Sequence, residues 1–328
     1  MIVSKTPYRI SFFGGATDFP QWYRKHGGAV LSTSIDKYCY ISCRFHTPLT
    51  PESRHRVVWS HIEHVSTTAE ILHPAVREAL RWLGFDDERG LEIHHQTDLR
   101  ARAGIGSSSA FAVGLISALL ALRGVRLSKH ELALKAIELE QEVLGDKVGS
   151  QDQVAVAHGG LNVIRFHRSG EIEVLPLAIS EARKRELASR LLLVYTGSSR
   201  LSSKIAASVI SHLEQQAGVL AKLRAMVDEG KAVLEDGDLD DFGHLLNHAW
   251  MLKRELSAGV SSPEIDAIYD TALKNGALGG KLLGAGGTGF MVFYVRPERR
   301  PEVAAALERR PQVPFSFDSE GTRLLLGS

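Results

Sequence analysis

A glycine- and serine-rich stretch has the residue types that bind phosphate. It reads Gly104-Ile105-Gly106-Ser107-Ser108-Ser109 and leads into an apolar run that ends at Leu122. Glycine permits a tight turn and a close approach of ligand to backbone. Serines at a helix start cap the free N–H groups of the first turn, and these groups with the helix dipole attract anions. The stretch predicts a helix start that binds a nucleotide phosphate, although many helices begin with Gly-Ser and bind nothing.

A second glycine loop lies near the other end of the chain. Residues 284–289, Gly-Ala-Gly-Gly-Thr-Gly, match the dinucleotide-binding pattern G-x-G-x-x-G, but the following Phe290–Val295 is typical of a strand where that pattern needs a helix. The first loop is not a P-loop, because no lysine follows Gly106. A glycine loop between strands can still bring backbone amides, here those of Gly286 and Gly287, to a phosphate.

One carboxylate is predicted to point into the protein. A capping box at Ser128-Lys129-His130-Glu131 begins a helix that Gly145 ends. On a helical wheel of residues 131–144, Glu140 falls within the apolar arc, between Ala133 and Ala136. An inward carboxylate must be paired or bind a cation. A structural partner without any function is the alternative.

Two aspartates follow glycine-rich or loop segments. Asp18 lies in the loop Gly14–Pro20, and Asp152 begins an element after Gly149 and Ser150. In isolation each is explained as the cap of a turn or helix.

Composition describes an ordinary globular protein long enough for two domains. The chain is 44% hydrophobic and 23% charged with a net charge of +1, so bulk charge implies neither a nucleic-acid nor a membrane partner. Its two cysteines, Cys39 and Cys43, lie roughly 13 Å apart on a strand, too far for a disulfide. With no signal peptide and no long apolar run, we expect a cytoplasmic protein.

Strands and helices alternate in a way that predicts two α+β domains. The first, residues 1–180, holds strands in 2–13 that Pro7 interrupts, a strand pair near 28–45, and a hairpin of 161–166 with 171–177. The second, residues 181–328, holds strand 191–195, helices at about 202–228, 231–235, 239–257 and 263–275, strand 289–295, helix 300–309 and a closing hairpin around Ser319-Glu320-Gly321.

Taken together, three motifs resemble the GHMP family of small-molecule kinases over nearly the whole chain. They are Pro7-Tyr8-Arg9-Ile10-Ser11-Phe12-Phe13-Gly14-Gly15-Ala16-Thr17-Asp18, Gly104–Ala110, and Lys281-Leu282-Leu283-Gly284-Ala285-Gly286-Gly287-Thr288-Gly289-Phe290. The resemblance implies an N-terminal domain of the ribosomal-protein-S5-like type, a ferredoxin-like C-terminal domain and substrates in the cleft between them. It is strongest to the branch that phosphorylates D-glycero-D-manno-heptose 7-phosphate, although that branch usually has glycine where this chain has Ala16.

The resemblance also implies roles. Asp152 would be the acid–base residue beside Arg9, Mg²⁺ would lie at Ser108 and Glu140, and ATP would contact Gly104–Ser109, Gly286 and Gly287. Which of Ser107, Ser108 and Ser109 meets the metal stays open. The sugar would contact Gly15, Thr17 and Asp18. A substrate phosphate needs a basic partner, for which Arg200 is the first candidate, ahead of Lys253 and Arg254.

The implied activity is an ATP- and Mg²⁺-dependent sugar 1-kinase that makes D-glycero-D-manno-heptose 1,7-bisphosphate, on the way to nucleotide-activated heptose for surface polysaccharide. Alternatives are a kinase of the same fold for an unphosphorylated sugar, such as fucose, galactose or an N-acetylhexosamine, and a catalytically silent sugar sensor. We expect small-molecule partners alone and a monomer or homodimer.

Overall fold

A computed structural model of the chain describes residues 1–46, 54–85, 87–99, 103–197 and 202–326, with the backbone alone at 202–204 and 326. The strands are β1 Ile2–Phe13, β2 Gly28–His46, β3 His55–Val58, β4 Ile62–Val65, β5 Gly90–Thr97, β6 Leu161–Phe166, β7 Ile172–Pro176, β8 Leu191–Tyr195, β9 Ala277–Leu282, β10 Phe290–Val295, β11 Gln312–Val313, β12 Phe317–Asp318 and β13 Arg323–Leu326.

The helices are α1 Pro20–His26, α2 Pro74–Trp82, α3 Ser107–Leu122, α4 Lys129–Glu138, α5 Gln151–His158, α6 Glu181–Ser189, α7 Ser202–Ser211, α8 Ala217–Asp236, α9 Leu239–Glu255, α10 Pro263–Lys274 and α11 Arg300–Ala306. Short 3₁₀ turns lie at Thr68–Glu70 and Pro297–Arg299, and a π-helical turn, Leu139–Val143, follows α4. In the part of the chain that the structure describes, no helix is both long and apolar enough to cross a bilayer.

A nine-stranded sheet is built on two long strands. β1 is continuous through Pro7, where the predicted interruption is only a shift in its register with β2. β2 is one strand of 19 residues and not a pair, because its first part pairs with β6 and its last part with β5 on the same edge. The strand order β13-β1-β2-β5-β3-β4 continues this sheet to both sides.

The second sheet has the order β11-β8-β10-β9 and is antiparallel throughout. The last strands do not form a hairpin with each other, since β12 pairs with β2 and β13 with β1. We propose that the domain boundary lies near residue 180, as the sequence predicts, and that residues 317–326 return to the first domain.

Helix α3 fixes the glycine loop against the first strand. It is apolar on all sides and almost wholly buried, as a helix between two layers must be. A Cβ at Gly114 would lie 3.0 Å from the Thr6 hydroxyl oxygen, so glycine allows α3 to lie close to β1. The Ser4 hydroxyl donates to the Gly114 carbonyl at 2.8 Å, and the Arg9 amide donates to the Ile105 carbonyl at 3.0 Å. Packing therefore brings the start of α3 beside Arg9.

Candidate active site

A cleft of about 490 Å³ gathers residues from both sheets and their helices. Its walls come from the end of β1 and the following loop, the starts of α3 and α5, helices α7 to α9, strand β9 and the loop after it. The predicted site residues that line it are Arg9, Gly15, Asp18, Gly104, Gly106, Ser107, Ser108, Ser109 and Asp152.

At the centre of the cleft, Arg9 and Asp152 form a bidentate ion pair. Arg9 Nε donates to Asp152 Oδ1 at 2.7 Å and Nη2 to Oδ2 at 2.6 Å, while Nη1 donates to the Gly104 carbonyl at 2.5 Å. The Arg9 side chain is 4% exposed and the Asp152 side chain 25% exposed. Two parallel charge-assisted bonds fix the orientation of the carboxylate, and the remaining exposure of Asp152 faces the cleft. A ligand can therefore reach a carboxylate that is already held in place.

Glu140 is also buried, but only neutral donors surround its carboxylate. Ser108 Oγ donates to Oε1 at 2.6 Å, and Oε2 accepts from Ser109 Oγ at 2.7 Å and from Gln153 Nε2 at 2.5 Å. No cation pairs with it among the residues described. Burial raises its pKa to about 7 despite the three donors, and the charge of Asp152 adds to the rise. The predicted inward position of Glu140 is confirmed, since the residue is 1% exposed.

The helix that carries Glu140 differs from the predicted one. The α-helical part ends at Glu138, and Glu140 lies on the π-helical turn. Such turns widen a helix locally and recur at functional sites. The wider turn brings Glu140 to the two serines of α3 that donate to it.

Asp18 is another buried carboxylate, and it lines the cleft. It is 2% exposed, and its Oδ2 accepts from the Gln151 amide at 3.3 Å. A Cβ at Gly149 would lie 1.9 Å from Oδ2, so glycine is required there. Burial, followed by the nearby charge of Asp152, raises the pKa of Asp18 to about 6. Ala16 in the same loop has a φ of 73°, the left-handed conformation that suits the glycine usual in the similar branch.

Two lysines also line the cleft, of which Lys281 is buried and Lys253 is partly buried. Lys253 on α9 donates to the carbonyls of Leu282 and Gly284 at 2.7 and 2.6 Å, and Lys281 on β9 donates to the Phe12 carbonyl at 2.7 Å. Burial lowers the pKa of Lys281 to about 7, and the charge of Arg9 lowers it further. Burial also lowers the pKa of Lys253, followed by the charges of Lys281 and Arg9. Sequence reasoning missed Lys281, although a lysine inside the apolar strand Ala277–Leu282 was a signal that could have indicated it.

The end of the cleft beside the serines has an aromatic wall. Phe111, the fifth residue of α3, stacks on His73 with ring centroids 4.8 Å apart and meets His95 edge-on at 4.8 Å. Burial and the charge of His73 lower the pKa of His95 to about 4, so its ring is neutral near pH 7. A flat aromatic wall next to an anion-binding helix start suits a nucleotide base.

Other predicted residues lie away from the cleft. Thr17 is buried and its hydroxyl lies within hydrogen-bond distance of the Gly14 and Ala29 carbonyls, and Ile105 is also buried behind the loop. The Gly287 amide donates to the Val260 carbonyl, and Gly286 packs on the same residue, while Gly284 and Ala285 line the cleft instead.

The remaining candidates concern the substrate phosphate. Arg254 pairs with Asp266 at 3.0 Å outside the lining, whereas Lys253 lies in it. Arg200 lies outside the residues that the structure describes, so its role stays a prediction.

A magnesium ion fits the residues around Glu140. The described ranges hold no cluster of three or more His, Cys, Asp or Glu that could hold a metal. Mg²⁺ in phosphoryl-transfer sites needs fewer, because one or two carboxylates suffice when phosphates supply further oxygens. Glu140 Oε1 and the hydroxyl of Ser108, which is exposed to the cleft, are hard oxygen ligands side by side. Ser109 is 3% exposed and contacts the other carboxylate oxygen.

Comparison with known proteins identifies the family. The profile of the GHMP kinases N terminal domain matches residues 65–160 and that of the GHMP kinases C terminal region matches residues 231–312. The chain is 29% identical to D-glycero-alpha-D-manno-heptose 7-phosphate kinase of Campylobacter jejuni, over 98% of both chains. It is also 29% identical to a mevalonate kinase of Pyrococcus horikoshii, over 73% of this chain and 70% of the relative.

Among solved structures, a D-glycero-D-manno-heptose 1-phosphate kinase of Bacteroides thetaiotaomicron shares the fold. It superposes with a TM-score of 0.80 at 24% identity and covers 99% of both chains. The predicted two-domain fold class is confirmed by this match and by the two profiles. The chain belongs to the GHMP kinase family of ATP-dependent phosphotransferases.

Proposed function

We propose that the chain transfers the γ-phosphoryl group of ATP to the anomeric hydroxyl of D-glycero-D-manno-heptose 7-phosphate. The observation that carries a kinase reaction at this cleft is the bidentate Arg9–Asp152 pair, which lies in one cavity with the serine-rich start of α3. Glu140 lies behind this start, bonded to Ser108 and Ser109. The choice of acceptor is supported by the heptose 7-phosphate kinase that is 29% identical along the full length.

Asp152 would accept the proton of the reacting hydroxyl. Its partly exposed carboxylate is oriented by Arg9, whose charge favours the ionised carboxylate and a developing alkoxide. An anomeric hydroxyl is more acidic than an ordinary alcohol, so a weaker base is sufficient to accept its proton. Arg9 also binds the Gly104 carbonyl, which ties the base to the loop that would hold the triphosphate.

The donor would bind at the start of α3. Backbone amides of residues 106–109 and the helix dipole would meet the phosphates, and the adenine would lie against the wall of His73, His95 and Phe111. Ser108 and Glu140 would hold Mg²⁺, which supplies neutralisation of charge on the triphosphate when bound. Lys253, held by two carbonyls beside Gly284, would add positive charge at the same end of the cleft.

A panel of acceptors tests the proposal. ADP release is measured with D-glycero-D-manno-heptose 7-phosphate, its 1-phosphate, the free heptose, fucose, galactose and an N-acetylhexosamine. We expect the 7-phosphate to have the highest kcat/KM, and the product to be identified as the 1,7-bisphosphate by NMR. A preference for the 1-phosphate or for an unphosphorylated sugar would contradict the proposed acceptor, and ADP release that no sugar stimulates would contradict the kinase reaction.

A further inference from the structure

Two polar atoms in the wall of the cleft have no hydrogen-bond partner among the described residues. They are Oγ of Ser11 and Oε1 of Gln151, and both are buried within the protein. Ser11 is 6% exposed. A buried hydroxyl or carbonyl without a partner is costly, by an amount comparable to a hydrogen bond or more. Such an atom at the edge of a cavity gains a partner when a ligand with matching groups enters.

Ser11 is placed on the acceptor side of the cleft by its strand. On β1 it is two residues after Arg9, so the two side chains point to the same face. It precedes Phe12, whose carbonyl accepts from Lys281. Arg9 is bonded to Asp152, the proposed base, so this face of β1 is near the reacting hydroxyl. After Ser11 the chain continues to Gly15 and Asp18, which line the same cleft.

Gln151 approaches the same region from helix α5. Its backbone amide donates to Asp18 Oδ2 at 3.3 Å, and it directly precedes Asp152 in the chain. Its side-chain carbonyl needs a donor, while the Ser11 hydroxyl can both donate and accept. Together with the buried carboxylate of Asp18, these atoms provide sites for several hydroxyl groups of one ligand.

We propose that Ser11 and Gln151 hydrogen-bond hydroxyl groups of the acceptor other than the one that reacts, and so determine its specificity for a polyhydroxylated sugar. This inference rests on the proposed function, because it takes the acceptor to lie beside Asp152. A site built to bond a hydroxyl discriminates against an analogue without it, since the protein group is then left unpaired.

The chain offers a matched control for Ser11. Ser32 on β2 is the register partner of Ser11, is 1% exposed and also has an unpartnered Oγ, but it does not line the cleft. Serine-to-alanine changes at the two positions remove the same group from the same sheet. A difference between them in sugar kinetics therefore reports the ligand contact and not the sheet.

The test compares Ser11→Ala and Ser32→Ala with the wild type. We expect Ser11→Ala to lower kcat/KM for the sugar by about 3- to 10-fold, the effect of one neutral hydrogen bond, with KM for ATP unchanged and Tm no lower. Ser32→Ala should leave the sugar kinetics unchanged. Gln151→Met, which keeps the size and removes the side-chain amide, is a second variant with the same expected selectivity for the sugar.

Monodeoxy analogues of the acceptor sharpen the test. The wild type should discriminate against the analogue that lacks the contacted hydroxyl, and Ser11→Ala should lose this discrimination. Equal sugar kinetics for Ser11→Ala and Ser32→Ala, together with unchanged kinetics of Gln151→Met, would overturn the inference. If the wild type prefers another sugar, the proposed acceptor fails, and the same comparison on that sugar decides this inference separately. An accepted substrate with no hydroxyl besides the reacting one would overturn it.

Discussion

Glu140 and Asp152 are two neighbouring carboxylates whose partners differ in charge. Asp152 is held by the guanidinium of Arg9 in two parallel bonds, whereas Glu140 accepts from two serines and a glutamine, all neutral. The charge of Asp152 is therefore balanced by a residue of the protein, Arg9. Glu140 is buried without one, which raises its pKa to about 7. This difference supports the proposed roles, which are proton transfer for Asp152 and Mg²⁺ binding for Glu140.

The largest expected effect comes from the carboxylate that is already paired. Asp152→Asn should keep the fold and nucleotide binding but lower kcat by roughly 10²- to 10⁴-fold, the usual contribution of a general base. Steady-state kinetics with saturating ATP and sugar measure it, and nucleotide binding by calorimetry serves as the control. A kcat near that of the wild type would mean that Asp152 is only a helix cap and has no role in proton transfer.

Asp18 tests whether a second carboxylate that is buried without a cationic partner also has a raised pKa. Its pKa is raised from 3.8 to about 6, so the folded protein holds this proton more tightly than the unfolded chain. The resulting stabilisation is complete below about pH 4 and is lost as the pH rises through 6. Relative to the wild type, Asp18→Asn should therefore gain stability between about pH 4.5 and 8, by at most about 3 kcal/mol for a pKa difference of about two.

Urea unfolding at both pH values measures this gain. Asp228→Asn is the control, because that carboxylate is 53% exposed and pairs with Arg224 on the surface. A gain that does not depend on pH would mean that the carboxylate of Asp18 is not raised in pKa by burial.

Glu140→Gln should change the metal requirement more than the maximal rate. Replacing a charged hard-oxygen ligand by a neutral one should raise the Mg²⁺ concentration for half-maximal rate by roughly 10- to 100-fold. The dependence of the rate on Mg²⁺ at fixed ATP measures it, and a Mg²⁺-dependent rise in Tm with ADP provides a readout besides activity. An unchanged Mg²⁺ dependence with an altered Tm would make Glu140 a structural carboxylate.

The smallest effects are expected from alanine substitutions of the two serines that bond Glu140. One should affect metal binding and the other stability. Ser108 is exposed to the cleft and Ser109 is 3% exposed. Ser108→Ala should raise the Mg²⁺ requirement with little change in Tm. Ser109→Ala should instead lower the free energy of unfolding by about 1–3 kcal/mol, because a buried carboxylate loses a donor. The reverse pattern would assign the metal to Ser109.

The sequence by itself determined the features that depend on local spacing. Helical periodicity placed Glu140 inward, and the Gly-Ser stretch predicted the start of α3. The strand-forming run Phe290–Val295 ruled out a dinucleotide loop at Gly284–Gly289. Each of these needs only neighbours within one or two turns, so the residues themselves contain the information.

Tertiary structure alone decided which of these residues meet. Arg9 and Asp152 are 143 residues apart and Lys281 and Phe12 are 269 apart, and no local period relates them. Likewise, β12 and β13 join the first sheet because β1 and β2 offer free edges there, whereas local turn residues predicted a hairpin. The lack of a partner for the Ser11 hydroxyl is also a result of tertiary structure. Whether a buried polar atom has a partner is decided by the packing of distant segments around it, and a sequence contains no local signal for that.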